Sequence, residues 1–240
     1  MNAEIRLQSI AHSFGDEAVI KDIDLQIQKG EIFGLLGPSG AGKTTLVKII
    51  VGILKPTHGS VEVQGTTMPS LQQMRSIGFM AQSDALYMEL SAKENMEYFA
   101  SIYGLSRSKQ KERMEHALGV VNLVEHMKKP VEKFSGGMKR RLSLAIALVH
   151  EPTVLVLDEP TVGIDPLLRQ SVWDEFQKLK RRGTTIIVTT HVMDEAEKCD
   201  KLALLRDGFV IAQGSPEQLK QEVQVDTIEQ AFLHYGGMKR

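Results

Sequence analysis

The sequence predicts an α/β fold: a core with a mixed sheet, an antiparallel β subdomain and an inserted helical subdomain. Three observations predict it. Aliphatic runs at 32–36, 154–157 and 184–190 suit the buried strands of a core sheet. Two stretches near the start, 4–9 and 22–28, alternate apolar with polar residues, the pattern of half-exposed antiparallel strands. From about residue 86 to 151 the pattern is helical throughout, so one domain over 1–240 is expected to carry a helical insertion there.

The elements follow in order. Ile5 and Leu7 alternate with Glu4, Arg6 and Gln8; Ile23, Leu25 and Ile27 alternate with Asp22, Asp24 and Gln26. Between them His12-Ser13-Phe14-Gly15-Asp16 reads as a turn, and Lys29-Gly30 turns the chain into the apolar run Ile32-Phe33-Gly34-Leu35-Leu36. Gly37 to Thr45 then reads GPSGAGKTT, which fits G-x-x-x-x-G-K-S/T, the phosphate-binding P-loop. Gly37, Gly40 and Gly42 let the backbone turn tightly, Pro38 shapes the turn without a donor of its own, and the N–H groups of Gly37, Ser39, Gly40, Ala41 and onward can then face phosphate oxygens. Lys43 supplies a point charge to the β- and γ-phosphates, the Thr44 hydroxyl is placed to ligate Mg²⁺, and Thr45 follows in the helix start. Leu46 to Val51 suits the helix that points its N-terminus at the same anion. The bland alternative is a glycine-rich turn with a stray lysine. The strand–loop–helix context favours a P-loop NTPase core.

Lys55 to Gly59 is the next turn, and Val61 and Val63 make a short strand closed by Gly65. Ile77 to Gln82 reads as a strand ending in a polar residue. Ser91 with Glu94 is a capping box, opening a helix whose face carries Met96, Phe99, Ala100 and Tyr103. Further helices are predicted over 107–119 and 121–127. Val154 to Leu157 is a strand ending at Asp158-Glu159. Asp165 as N-cap and Pro166 at the first position start a helix carrying Val172, Trp173, Phe176 and Leu179, ended by Arg182-Gly183. Thr184 to Thr190 is a strand with His191 directly after it. Lys201 to Arg206, the turn Asp207-Gly208 and Phe209 to Ala212 form a hairpin. Two weakly periodic segments and a basic Lys239-Arg240 close the chain.

A net charge of −1 over 240 residues gives no nucleic-acid-binding footprint. The one cysteine, Cys199, excludes an internal disulfide framework and favours a reducing compartment, with a small buried side chain as its default use. No apolar run reaches transmembrane length, and MNAEIRLQSI lacks the basic and apolar regions of a secretory signal, so a cytoplasmic location is expected.

Aliphatics ending in Asp158 downstream of a P-loop make the Walker B pattern. Asp158 would hold Mg²⁺ through its water shell, and Glu159 would orient and polarise the attacking water. Alone, a strand-end Asp-Glu pair is common and solvated; the P-loop upstream gives it a use.

Between the two motifs sits Phe134-Ser135-Gly136-Gly137-Met138, which resembles the signature motif of ATP-binding cassette (ABC) proteins. The order of motifs also resembles that of an ABC nucleotide-binding domain over nearly the whole chain. The resemblance implies a head-to-tail dimer, with ATP between the P-loop of one protomer and the signature of a second copy or a homologous cassette. Ser135, Gly136 and Gly137 would bind the γ-phosphate across that interface as a helix N-terminus. Gln82 would touch Mg²⁺ and the attacking water, His191 the γ-phosphate, Phe14 the adenine ring, and Asp165 would lie in the D-loop position. A separate transmembrane permease is the implied partner, docking about residues 83–103 and holding the protein at the inner face of the cell membrane. The run from Gly136 to Pro166 resembles cassettes of drug- and lipid-type exporters; sugar-importer cassettes carry a further regulatory domain for which 240 residues leave no room.

Two departures stand out. Met138 replaces the usual Gln and cannot return the capping-box bond, though the Ser and both Gly remain. Val162-Gly163-Ile164-Asp165 stands where Gly-Leu-Asp is common, a swap that conserves volume. The rival readings are a regulatory module that closes on ATP without driving transport, a non-transport ABC protein and a P-loop kinase. Glu159 with His191 speaks against the first, the lack of a long coiled coil or a tandem cassette against the second, and the Ser-Gly-Gly signature against the third.

Overall fold

The two alternating stretches fold as one hairpin, longer than their alternation predicts. In the computed structural model, which describes residues 3–83 and 85–237, β1 (Ile5–Phe14) and β2 (Glu17–Ile27) pair antiparallel from Ile5↔Ile27 to Phe14↔Glu17. Residues 12–14, read above as turn, are therefore strand; only Gly15-Asp16 turns. The alternation fails there because the ladder slips between Leu7 and Ile10 and again beside His12. Ile5 and Leu7 are buried before the slip, Ile10 and His12 after it, so the inward face passes from odd to even positions. β4 (His58–Val63) and the two-residue β5 (Thr66–Thr67) extend this sheet in the order β2-β1-β4-β5. His58, assigned above to a turn, already pairs with Ala11.

The chain divides into two units, Met1–Met74 with Thr185–Arg240 and Arg75–Thr184. Lys239 and Arg240 lie outside the described residues. In the first unit, β3 (Ile32–Leu36) lies between β8 (Thr185–Thr190) and β9 (Lys201–Arg206), parallel to both, and β10 (Phe209–Gly214) pairs antiparallel with β9. All of β3 is buried, in keeping with its apolar run, in which Gly34 alone carries no side chain. Each such side chain contributes roughly 1.5–3 kcal/mol relative to exposure. α1 (Lys43–Ile50) follows β3 and buries Leu46, Val47, Ile49 and Ile50. Two four-residue helices, α2 (Leu71–Met74) and α7 (Met193–Ala196), have no periodic signal long enough to read. The weak tail segments fold as α8 (Pro216–Glu222), opened by a Ser215–Gln218 capping box, and α9 (Ile228–Gly237).

In the second unit β6 (Ile77–Met80) pairs in parallel with β7 (Val154–Asp158). β6 stops at Met80, so Gln82 stands in the loop beyond and not at the strand end. Its carbonyl, and that of Ala81, are turned onto Arg140. The helices are α3 (Ala92–Ile102), α4 (Arg107–Val120), α5 (Gly136–Leu148) and α6 (Pro166–Arg181). Both halves of the Ser91 capping box form: Glu94 N–H donates to Ser91 Oγ at 3.2 Å and Ser91 N–H to the Glu94 carboxylate at 2.7 Å, a cap worth about 1 kcal/mol. The helix predicted over 121–127 shrinks to a 3₁₀ turn, Val124–His126, because Asn122 takes a left-handed φ of 52° that places Leu123 in the core. α6 starts as predicted on Asp165 and Pro166 and buries Val172, Trp173 and Phe176.

Just after α5, His150 stacks flat on Tyr103, with ring centroids 3.5 Å apart and planes within 5°. Burial pushes its imidazole down to about 4, so the folded state favours the neutral ring. The stability tied to that preference is complete above the usual value near 6.5 and is lost as pH falls toward 4. Urea unfolding of wild type against His150→Phe, which keeps a planar ring on Tyr103, checks this. The wild type should lose about 3 kcal/mol more than the variant between pH 7 and pH 4; equal slopes would refute the assignment.

Candidate functional site

The loop from Gly37 to Gly42 is made by backbone that side chains would block. A Cβ on Gly37 would stand 2.4 Å from the Leu205 carbonyl oxygen, and one on Gly42 would stand 2.6 Å from Ile20 Cδ1 and 3.1 Å from the Val19 oxygen. Gly40 and Gly42 also take left-handed φ values of 80° and 100°. Pro38, Ser39 and Gly40 are exposed, whereas Ala41, Gly42 and Lys43 are buried and Thr44 and Thr45 half-buried. Ala41 N–H donates to the Pro38 carbonyl at 3.2 Å, closing the turn. Lys43 bends back over it, its Nζ donating to the carbonyls of Gly37 at 2.7 Å and Pro38 at 2.9 Å. The ammonium is thus held in the concavity of the loop. At the start of α1, Gly42 offers no side-chain cap, so the first-turn N–H groups keep their pull on an anion.

His191 leaves the same edge of the sheet. Leu36 pairs with Thr190, and Gly37 N–H donates to the Thr190 carbonyl at 3.4 Å, so His191 and the loop diverge from one level. Thr190 Oγ1 donates to the buried Glu195 carboxylate at 2.6 Å and accepts from Val192 N–H at 3.0 Å, which braces the turn around the exposed imidazole. Phe14 ends β1 with 54% of its surface exposed and stands edge-on to His12 at 4.7 Å. It belongs to the hairpin whose Val19 and Ile20 abut Gly42. The first unit therefore gathers the loop, His191 and the hairpin of Phe14.

The second unit gathers the rest. β7 ends with Asp158 fully buried, and Glu159, half-buried, follows at a left-handed φ of 53°, a costly region for a side chain of this kind. Gln82 is exposed in its loop. Arg140, which the sequence reading missed, ties these together: Nη1 donates to the carbonyls of Ala81 at 2.7 Å and Gln82 at 2.9 Å, and Nη2 to those of Glu159 at 2.8 Å and Asp158. Its one sequence signal was its place in the basic run Lys139-Arg140-Arg141, ahead of the mainly aliphatic remainder of the helix. Arg141 turns elsewhere, onto the carbonyls of Val121 and Asn122.

Ser135 caps α5, accepting from Met138 N–H at 3.2 Å; Met138 brings only a weakly accepting thioether sulfur, and the reciprocal half of a capping box does not form. Ser135 and Gly136 are exposed, leaving this helix N-terminus open to solvent. A Cβ on Gly137 would stand 3.0 Å from the Gly163 carbonyl oxygen, which brings the segment before Asp165 against the signature. Asp165 itself accepts from Leu168 N–H at 3.0 Å as the cap of α6.

A glycine loop between a buried parallel strand and a helix, with its lysine closed over it, defines the class: a P-loop nucleotide-binding protein. The family model described as ABC transporter matches residues 20–162, and the chain belongs to that family. It is 40% identical over 239 residues to the probable multidrug ABC transporter ATP-binding protein YbhF of Escherichia coli, with 95% of this chain covered. This chain spans only 41% of that protein's length. The Nod factor export ATP-binding protein I of Rhizobium etli is 39% identical, covering 91% of this chain and 70% of that protein. Among solved structures, the dimeric post-hydrolysis state of the ATP-binding cassette MJ0796, bound to ADP and Pi, superposes with a TM-score of 0.82 at 27% identity, covering 88% of this chain and 98% of that one. The mixed α/β fold is that of the ABC cassettes.

The glycine requirement is testable at one atom. Gly42→Ala should lower nucleotide affinity at least about tenfold and destabilise the chain by about 2 kcal/mol, through a left-handed φ and the clash with Ile20. Calorimetric titration and urea unfolding measure the two, and unchanged affinity would refute it.

Proposed function

We propose that this chain is the ATP-hydrolysing motor of a transporter, working through a separate membrane-spanning permease and as one half of a head-to-tail pair of cassettes. The observation that carries the reading is the glycine loop with the Lys43 ammonium held in its concavity. The loop amides and the α1 N-terminus hold the phosphates, and Lys43 exchanges its bonds to Gly37 and Pro38 for the β- and γ-phosphate oxygens. By the family resemblance Thr44, Asp158 and Gln82 would hold Mg²⁺ and its water shell, through hydroxyl, carboxylate and amide oxygens. When bound, that ion neutralises charge building on the phosphates. Glu159 takes a proton from the attacking water, His191 bonds the γ-phosphate, and ADP and phosphate leave. Phe14 stacks on adenine. Ser135, Gly136 and Gly137 of the second cassette close on the γ-phosphate, with Asp165 beside them.

Among the described residues no helix is long and apolar enough to cross a membrane, which accords with force being passed to another chain at the inner face of the cell membrane. Within 83–103, of which Asp84 lies outside the described residues, exposed rings of Tyr87 and Tyr98 stand 4.8 Å apart and Ile102 is exposed on the same helix as Tyr98. They offer an apolar face to a permease. The name of the Rhizobium protein, a Nod factor export ATP-binding protein, favours export as the direction.

Light scattering on Glu159→Gln with Mg²⁺-free ATP tests the pair: ATP should shift the mass from monomer to dimer. Lys43→Ala should lose hydrolysis and bind ATP more weakly, because a phosphate countercharge is gone. Ser135→Arg should bind ATP as a monomer and not turn over; a wild-type turnover rate there would overturn the head-to-tail arrangement.

A further inference from the structure

Arg140 lies on α5, one turn beyond Gly136, with 8% of its surface exposed. Its planar guanidinium donates to carbonyls of two separate segments: Ala81 and Gln82 after β6, and Asp158 and Glu159 at the end of β7. An ammonium cannot reproduce this, since it is a point charge with three donors and no fixed fork. Glu159 holds a left-handed φ of 53°, a backbone state that persists only where its surroundings enforce it. Its carbonyl accepts from Arg140 at 2.8 Å and, more weakly, from Val162 N–H at 3.4 Å. Of these two bonds the guanidinium makes the shorter, and it is the one that also reaches the Gln82 loop.

We propose that Arg140 is a positioning residue for hydrolysis. It fixes the backbone of Glu159 so that the carboxylate stays aimed at the attacking water, and it locks the Gln82 loop to the same point. The signature helix, the Gln82 loop and the Glu159 turn then move as one body. A shift of the Gln82 loop, on the segment that meets the permease in the function proposed above, is passed to the Glu159 backbone through one cation. This assignment rests on that function.

The test compares Arg140→Lys and Arg140→Met with wild type, with active sites counted by ATP titration. In steady-state hydrolysis, kcat should fall about tenfold for Lys and about a hundredfold for Met, while KM for ATP changes less than about twofold. In the Glu159→Gln background, both substitutions should still give the ATP-dependent dimer, since phosphate binding and closure use other groups. Full activity of Arg140→Met overturns the proposal, and full rescue by Lys overturns the need for a planar fork. Loss of ATP binding and of the dimer in both variants overturns it in favour of a purely structural arginine. A wild-type chain that binds ATP without hydrolysing it would instead overturn the functional reading, and this assignment with it.

Discussion

The turn from β3 into α1 has to be made of backbone alone, and the strands around it in the same unit leave room for nothing more. Leu205 on β9 and Val19 and Ile20 on β2 crowd the positions where Gly37 and Gly42 would carry a Cβ. β3 cannot shift to relieve them, because β8 and β9 hold it on both sides and every one of its residues is buried. The loop therefore inherits its shape from the sheet. Lys43 completes it from within, its ammonium donating to the carbonyls of Gly37 and Pro38.

The second unit solves a different problem. Where β6 and β7 end, four successive-pair carbonyls leave the ladder and must find donors. One buried guanidinium meets them all. The guanidinium thus joins the backbone at the end of β7 to the backbone of the Gln82 loop.

Much of this was legible in the sequence because it is local. GPSGAGKTT, the Ser91–Glu94 box, the Asp165-Pro166 start and the Asp207-Gly208 hairpin each specify their own conformation within a few residues. What escaped depends on distant partners. Residues 12–14 became strand because β1 slips register against β2. The segment 121–127 lost its helix to a left-handed Asn122. β6 ended early, and Arg140 went unread, for one reason: a bond between residues nearly sixty apart leaves no periodic trace. Of the site, what the structure gives is backbone shape: the left-handed glycines of the loop and the Ser135 cap on α5. The joint action of Glu159, His191 and Gln82 on one substrate rests on the family resemblance.

Cys199 fills the space that Gly34 leaves in the middle strand: a Cβ there would lie 2.9 Å from its Sγ. Burial first, then the Asp200 and Glu195 carboxylates, push its thiol pKa up, so the reactive thiolate is suppressed. The chain has no other cysteine. Alkylation of the native protein therefore waits on an opening beside β3, and its rate is a clock for that opening. The single thiol is a one-site chemical reporter beside the strand that leads into the glycine loop, readable by mass spectrometry without any label being introduced.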